Sequence, residues 1–143
     1  MRSKEIRIDM KQILFILLLC LTQAAGAQLE QPVTFEVQQK RVSDLEVELV
    51  FSGKADLGWH VYGTDIAEGG PTPAELTFEK CNGAKPKGKL RATGKLIRSH
   101  DAVFDMDVSF MEGNVSFSQT LMLTASEYEV AGYLTYGACN DKN

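Results

Sequence analysis

Apolar and polar residues alternate with a period of two along most of this chain. The pattern recurs in residues 33–37, 45–51, 74–81, 102–110, 115–123 and 130–139, and a short aromatic run occupies 59–62. Successive side chains of a β-strand point to opposite faces, so this alternation places one face in a core and the other in water. No segment has the periodicity of an amphipathic helix. The pattern predicts antiparallel sheets that are buried on one face.

Turn-forming residues separate the alternating segments. They occur at residues 52–54, 68–71, 82–83 and 112–114, and each group contains at least one glycine. About seven short strands at such spacing predict an all-β fold, an immunoglobulin-like antiparallel β-sandwich. Residues 85–95 are rich in lysine and glycine, and predict either a solvated loop or an edge strand protected by lysine.

The first 27 residues have the three parts of a secretory signal peptide. A charged segment, 1–11, precedes an apolar run, 13–21, and the small residues of 24–27 follow. The run of nine apolar residues is much shorter than the roughly 20 that cross a bilayer. We therefore predict that residues 1–27, with Cys20, are removed on export. Residues 28–143 then form a single domain.

Composition and motifs exclude several classes of function. The formal net charge is −4, and a chain without a basic patch does not neutralise nucleic-acid phosphates, so we predict no nucleic-acid partner. Phosphate loops, nucleophile elbows and paired-histidine zinc motifs do not occur in the sequence. Its only histidines, His60 and His100, are too few for a metal site without other ligands. We predict neither a metal nor an organic cofactor.

Two cysteines, Cys81 and Cys139, follow the predicted signal peptide. Cys139 ends the last predicted strand and precedes a polar segment that contains Lys142. An accessible thiol near a cation has the properties of a reactive cysteine. Two cysteines in an exported sandwich also often form a structural disulfide. The residues alone leave both interpretations open.

Four segments of the chain resemble a known family. They are residues 58–62 (Gly-Trp-His-Val-Tyr), 69–73 (Gly-Gly-Pro-Thr-Pro), 98–110 and 132–142, the last of which ends in Tyr-Gly-Ala-Cys-Asn-Asp-Lys. In this order and spacing they are similar to the N-terminal periplasmic domain of DsbD-type thiol–disulfide interchange proteins, or disulfide bond corrector domains. The likeness extends from about Val33 to the end of the sequence. It implies an immunoglobulin-like fold and a periplasmic location.

The resemblance also implies a chemistry. Family members carry a cysteine pair near the end of the domain, and the reduced pair passes electrons to oxidised thioredoxin-fold proteins. A thioredoxin-like domain, usually on the same polypeptide beyond a transmembrane segment, recharges the pair. Cys139 matches the first cysteine. We expect the second shortly after Asn143, and therefore expect the domain to be incomplete at its C-terminal end.

Aromatic residues accompany the cysteine pair in the family. His60 and Tyr62 match such positions, and we also expect Tyr136 to neighbour Cys139. The alternative for His60 and Tyr62 is that they are ordinary solvent-facing strand residues. Residues 95–101 correspond to the loop that covers the cysteines in the family.

Two functions of different classes follow from these observations. The first is a periplasmic thiol–disulfide exchange domain, a thiol–disulfide oxidoreductase in which Cys139 is the catalytic cysteine and thioredoxin-fold proteins are the partners. The alternative is a non-catalytic immunoglobulin-like binding module that is stapled by a Cys81–Cys139 disulfide.

Overall fold

A computed structural model describes residues 30–140 of the chain. This part forms ten β-strands: β1 (Val33–Arg41), β2 (Glu46–Ala55), β3 (Trp59–Tyr62), β4 (Glu75–Asn82), β5 (Ala84–Ala92), β6 (Ile97–Asp101), β7 (Met106–Glu112), β8 (Asn114–Leu123), β9 (Glu129–Thr135) and β10 (Ala138–Asn140). All strand pairings are antiparallel. The predicted all-β antiparallel sandwich is confirmed, whereas the immunoglobulin-like topology stays a prediction. The predicted signal peptide and Lys142 lie outside the described residues.

Residues 30–140 are arranged in three sheets. Two have four strands each, in the orders β1-β2-β8-β5 and β10-β3-β7-β6, and the third pairs β4 with β9. Sequence neighbours such as β7 and β8 lie in different sheets, so the chain crosses repeatedly between layers. No helix in this part of the chain is long and apolar enough to cross a membrane.

The core lies against the inner face of the β1-β2-β8-β5 sheet. Phe117 on β8 is fully buried and belongs to a cluster that includes Val61 of β3 and Met111 of β7, so the two four-stranded sheets pack face to face. Leu121, four residues further along β8, belongs to a second cluster, which the β4–β9 pair covers. Truncation of a buried Phe such as Phe117 to Ala typically costs about 3–5 kcal/mol of stability.

Two predicted segments differ from the structure, and a third agrees with one of its two interpretations. Residues 102–110 are not one strand, because a turn separates β6 from β7 and Asp105 within it has a left-handed φ of 52°. Residues 130–139 are interrupted after Thr135, so that β9 and β10 join different sheets. Residues 85–95 are not a loop: most of them belong to β5, which is an edge strand, as the second interpretation of this segment predicted.

Candidate functional site

Strand β10 places Cys139 next to an aromatic pair on β3. Cys139 is directly opposite His60 in the antiparallel ladder, and β3 continues to Tyr62 two residues later. Directly opposed residues and residues two apart on one strand share a face of the sheet. Cys139, His60 and Tyr62 therefore point to the same side, away from the core residue Val61.

The thiol of Cys139 lies near two hydrogen-bonding groups. Its Sγ is 3.3 Å from the backbone oxygen of Asn140, to which it donates. The phenol of Tyr62 lies on the same face, and burial and the nearby Cys139 both contribute to the raised pKa of that phenol. The Cys139 residue is half-buried.

Tyr62 connects Cys139 to Asp101. Its phenol donates a hydrogen bond to Asp101 Oδ2 at 3.2 Å, and the residue is only 4% exposed. Burial raises the pKa of the Tyr62 phenol above its ordinary value, and the negative charges of the Cys139 thiolate and the Asp101 carboxylate raise it further. Tyr62 therefore remains a protonated hydrogen-bond donor throughout the neutral pH range.

Asp101 fixes the turn that follows β6. Its Oδ1 accepts hydrogen bonds from the backbone N–H groups of Val103 at 2.8 Å and Phe104 at 3.2 Å, an arrangement typical of aspartate at the start of a turn. Partial burial opposes ionisation of this carboxyl. The backbone donors, the Tyr62 phenol and the nearby His60 outweigh that effect and hold the pKa of Asp101 below its usual range.

The ring of His60 is held between two other aromatic rings. It makes an edge-to-face contact with Tyr62 at 5.1 Å between centroids and a tilted contact with Phe110 of β7 at 4.7 Å. Aromatic pairs at such distances are stabilising beyond the area that they bury. The imidazole therefore has a fixed place beside the strand that carries Cys139.

These side chains line a cleft of about 780 Å³. Its floor is formed by His60 and Tyr62, and segment 137–140 with Cys139 lies along one side. Residues 70–72 form a second wall, and Val103 and Phe104 of the Asp101 turn form a third. Val103 is 87% exposed, so an apolar side chain stands at the mouth of the cleft.

Tyr136, which the sequence predicted as a neighbour of Cys139, is not among the residues that line this cleft. Its phenol donates to the backbone oxygen of Val33 at 3.2 Å, and its ring makes an edge-to-face contact with Phe35 at 5.2 Å. Tyr136 thus packs against the main core cluster. Of the predicted covering loop, residues 95–101, Asp101 reaches the cleft, while Ile97–Asp101 is strand β6.

Cys81 lies in a different part of the molecule. It is on β4, where it packs against the second core cluster, and its Sγ donates to the backbone oxygen of Ala84 at 3.1 Å. Cys81 is a free thiol, so no Cys81–Cys139 disulfide is formed. The predicted staple of the binding-module alternative is therefore wrong.

The sequence predicted Asp101 only as the last residue of the covering loop, and Val103 and Phe104 were not predicted as parts of the site. A signal was present, because Asp101 opens an Asp-Ala-Val-Phe-Asp run in which aspartate commonly begins a turn. Continued alternation through this run obscured the turn. No group of three or more His, Cys, Asp or Glu side chains within residues 30–140 has the arrangement of a metal site.

Comparison with known proteins gives no relative of this chain. No protein-family model matches it, and no curated protein and no solved structure is significantly similar to it. The resemblance to DsbD-type domains stays a prediction that depends on the sequence motifs alone.

Proposed function

We propose that this chain is a thiol–disulfide exchange domain that acts in the periplasm, with Cys139 as its nucleophile. The observation that carries the proposal is the position of Cys139, which lines an open cleft together with the buried residue Tyr62. A half-buried cysteine that lines a cleft beside a phenol has the accessibility and the polar surroundings of a reactive thiol.

The proposed step is the formation of a mixed disulfide. The Cys139 thiolate attacks one sulfur of a partner's disulfide and forms a new S–S bond to it, while the bond between the two partner sulfurs breaks. The second partner sulfur leaves with the electron pair as a thiolate and takes a proton from solvent. Cys139 is oxidised and the partner sulfur that leaves is reduced.

Tyr62 and Asp101 support this step without reacting. The Tyr62 O–H donates to the carboxylate of Asp101 and lies in the same cleft as the sulfur of Cys139. In the proposed step this single O–H turns from Asp101 to the sulfur as charge develops there, because donation to a charged acceptor is favourable. Asp101 anchors both the phenol and the turn with Val103 and Phe104. His60 supplies the aromatic floor of the cleft.

The exposed rim of the cleft supports a protein partner. Val103 is 87% and Phe104 38% exposed, so apolar surface borders the reactive sulfur. Exposed apolar side chains beside a functional group are typical of docking surfaces. We propose thioredoxin-fold proteins as partners, following the implication of the sequence resemblance.

Release of a mixed disulfide requires a second thiol. Cys81 is poorly placed for this role, because it lies in the β4–β9 sheet and packs against a cluster that does not include β3 or β10. The resolving thiol in our proposal is a second cysteine of the kind that the resemblance implies, or a thiol of the partner.

The proposal is tested with an activated thioredoxin. The chain carries the substitution Cys20→Ser, so that Cys81 and Cys139 are its remaining cysteines. It is mixed with a thioredoxin that has one active-site cysteine, and this cysteine is coupled to thionitrobenzoate as a mixed disulfide. We expect thionitrobenzoate release and a covalent adduct that reductant cleaves.

The matched variants of that chain are Cys139→Ser and Cys81→Ser. We expect Cys81→Ser to form the adduct at the rate of the parent and Cys139→Ser to form none. Equal adduct formation by Cys139→Ser, or none by the parent, would contradict the proposal.

A further inference from the structure

Residues 63–74, here called the 63–74 loop, connect β3 to β4 and supply one wall of the cleft. The loop is closed at its base, where the N–H of Ala74 donates to the oxygen of Gly63 at 2.9 Å. The N–H of Gly63 in turn donates to the oxygen of Ser109 on β7 at 2.8 Å. The base of the loop is thus attached to the central part of the β10-β3-β7-β6 sheet.

Asp65 makes the side-chain attachment of this loop. Its carboxylate accepts a hydrogen bond from the hydroxyl of Ser109, a residue that is 2% exposed. The same carboxylate forms an ion pair with Arg98, at 3.1 Å. The Ser109 hydroxyl lowers the pKa of Asp65, and Arg98 lowers it further, although partial burial opposes them. A buried hydroxyl without its acceptor is costly, so this contact fixes the loop to β7.

The same loop makes two more close contacts, at Gly70 and Thr72, which line the cleft. A Cβ at Gly70 would lie 2.6 Å from Met106 Sδ, so the backbone there is in direct contact with β7. A Cβ at Gly137 would lie 2.6 Å from the backbone oxygen of Thr72, so the loop is also in close contact with the residue that precedes β10. The position of the loop and the position of β10, with Cys139, are therefore coupled.

From these contacts we propose that Asp65 is a positioning residue, whose bond to Ser109 holds the 63–74 loop against β7 and so limits access to Cys139. Asp65 is absent from the lining of the cleft and acts through segment 70–72. A role of Asp65 in thiol–disulfide exchange rests on the proposed function. The accessibility of the Cys139 sulfur can be measured whether or not the domain carries out exchange.

The test measures the alkylation rates of Cys139 and Cys81 by iodoacetamide labelling and mass spectrometry in the Cys20→Ser chain. Asp65→Ala and Ser109→Ala are each expected to raise the Cys139 rate about fivefold, the effect of losing one hydrogen bond, and to leave the Cys81 rate unchanged. Asp65→Asn keeps an acceptor oxygen for Ser109 and is expected to restore a rate near that of the parent.

Arg98→Gln is the matched control. Its guanidinium is 76% exposed, and exposed ion pairs contribute little, so we expect less than a twofold change. The double variant Asp65→Ala/Ser109→Ala is expected to react no faster than either single variant, because both remove one contact.

Two results would overturn the inference. One is a Cys139 rate that stays at the parent value in both Ser109→Ala and Asp65→Ala, with folding verified by circular dichroism. The other is an equal rise at Cys139 and Cys81, which indicates general loosening of the fold. If Asp65→Ala does not fold, Ser109→Ala alone decides. Failure of mixed-disulfide formation with thioredoxin, together with the expected alkylation pattern, would reject the proposed function and leave this inference standing.

Discussion

Tyr62 lies next to other polar residues of the cleft. Its phenol lies between a carboxylate and a thiol, and its ring supports His60. Because burial and neighbouring negative charge both raise the pKa of the phenol, the group stays protonated and remains a hydrogen-bond donor. One hydroxyl thus lies between the thiol of Cys139 and the turn that begins at Asp101.

Removal of that hydroxyl is expected to slow the reactions of Cys139. Tyr62→Phe keeps the ring but loses the donor, so we expect the alkylation rate of Cys139 at pH 7.5 to fall by roughly three- to tenfold, since hydrogen bonds to charged groups are the stronger ones. Tyr136→Phe is the matched control, because it loses a phenol bonded to Val33 outside the cleft. An equal rate in Tyr62→Phe and the parent would contradict the assigned role.

Asp101 gives the stability of the domain a dependence on pH. Its pKa is lower in the folded than in the unfolded chain, so the carboxylate stabilises the fold above the ordinary aspartate value of about 3.9. That contribution is lost as the pH falls through the lower folded value. We therefore expect Asp101→Asn to be less stable than the parent at pH 7, and the difference to shrink by pH 3.

Urea unfolding at pH 7, 5 and 3 measures this difference. Asp44→Asn is the control, because the hydrogen bond at Asp44 is accepted by its backbone oxygen. A difference between Asp101→Asn and the parent that grows towards low pH would show that the sign is wrong.

The position of strand β10 depends on a single small residue. Gly137 precedes it, and a Cβ there would lie 2.6 Å from the oxygen of Thr72 and 3.2 Å from Tyr62 Cδ2. The backbone N–H of Tyr62 also donates to the oxygen of Gly137 at 3.0 Å. The start of strand β10 is therefore held by close contact of the Gly137 backbone with Thr72 and Tyr62, and a residue with a Cβ would not fit there.

Gly137→Ala is expected to displace β10. The clash is with backbone, which cannot move aside as a flexible side chain does, so we expect a loss of about 1–3 kcal/mol in the free energy of unfolding. Gly113→Asn is the control. Gly113 has a φ of 63° and open space at Cβ, and asparagine tolerates that conformation. A neutral Gly137→Ala variant would mean that β10 is not seated by this contact.

The strands were largely predictable from sequence, but the turns and pairings that make the site were not. Alternation located β1, β2 and β8, yet it continued through 102–105, where the Asp101 side chain and the left-handed Asp105 break the strand. Tyr136 is separated from Cys139 by three positions, an odd number that would place them on opposite faces even of an unbroken strand. His60 and Tyr62 reach Cys139 through the register of β10 on β3, a long-range pairing that periodicity does not encode.

At the scale of the whole molecule, lysines protect an open edge of the sandwich. Strand β5 ends the β1-β2-β8-β5 sheet, and Lys85 and Lys89 are exposed along it beside Pro86 and a bulge. Charges, proline and bulges on an edge strand prevent pairing with another chain.

Removal of these charges is expected to promote self-association. The double variant Lys85→Val/Lys89→Val gives the edge two β-branched apolar residues in place of lysines, so we expect larger species than the parent forms, measured by light scattering at equal concentration. Lys85→Arg/Lys89→Arg keeps the charge and is the control. Identical scattering from the valine variant and the parent would show that Lys85 and Lys89 do not protect this edge.

The pairing of β10 with β3 has an optical consequence. Asn140 lies opposite Trp59, the single tryptophan of the sequence, and Trp59 packs against the main core cluster. Movement of the strand that carries Cys139 therefore changes the surroundings of the one indole fluorophore. The emission maximum of the unlabelled protein reports on this strand, and events at the sulfur that displace β10 are visible without any added dye.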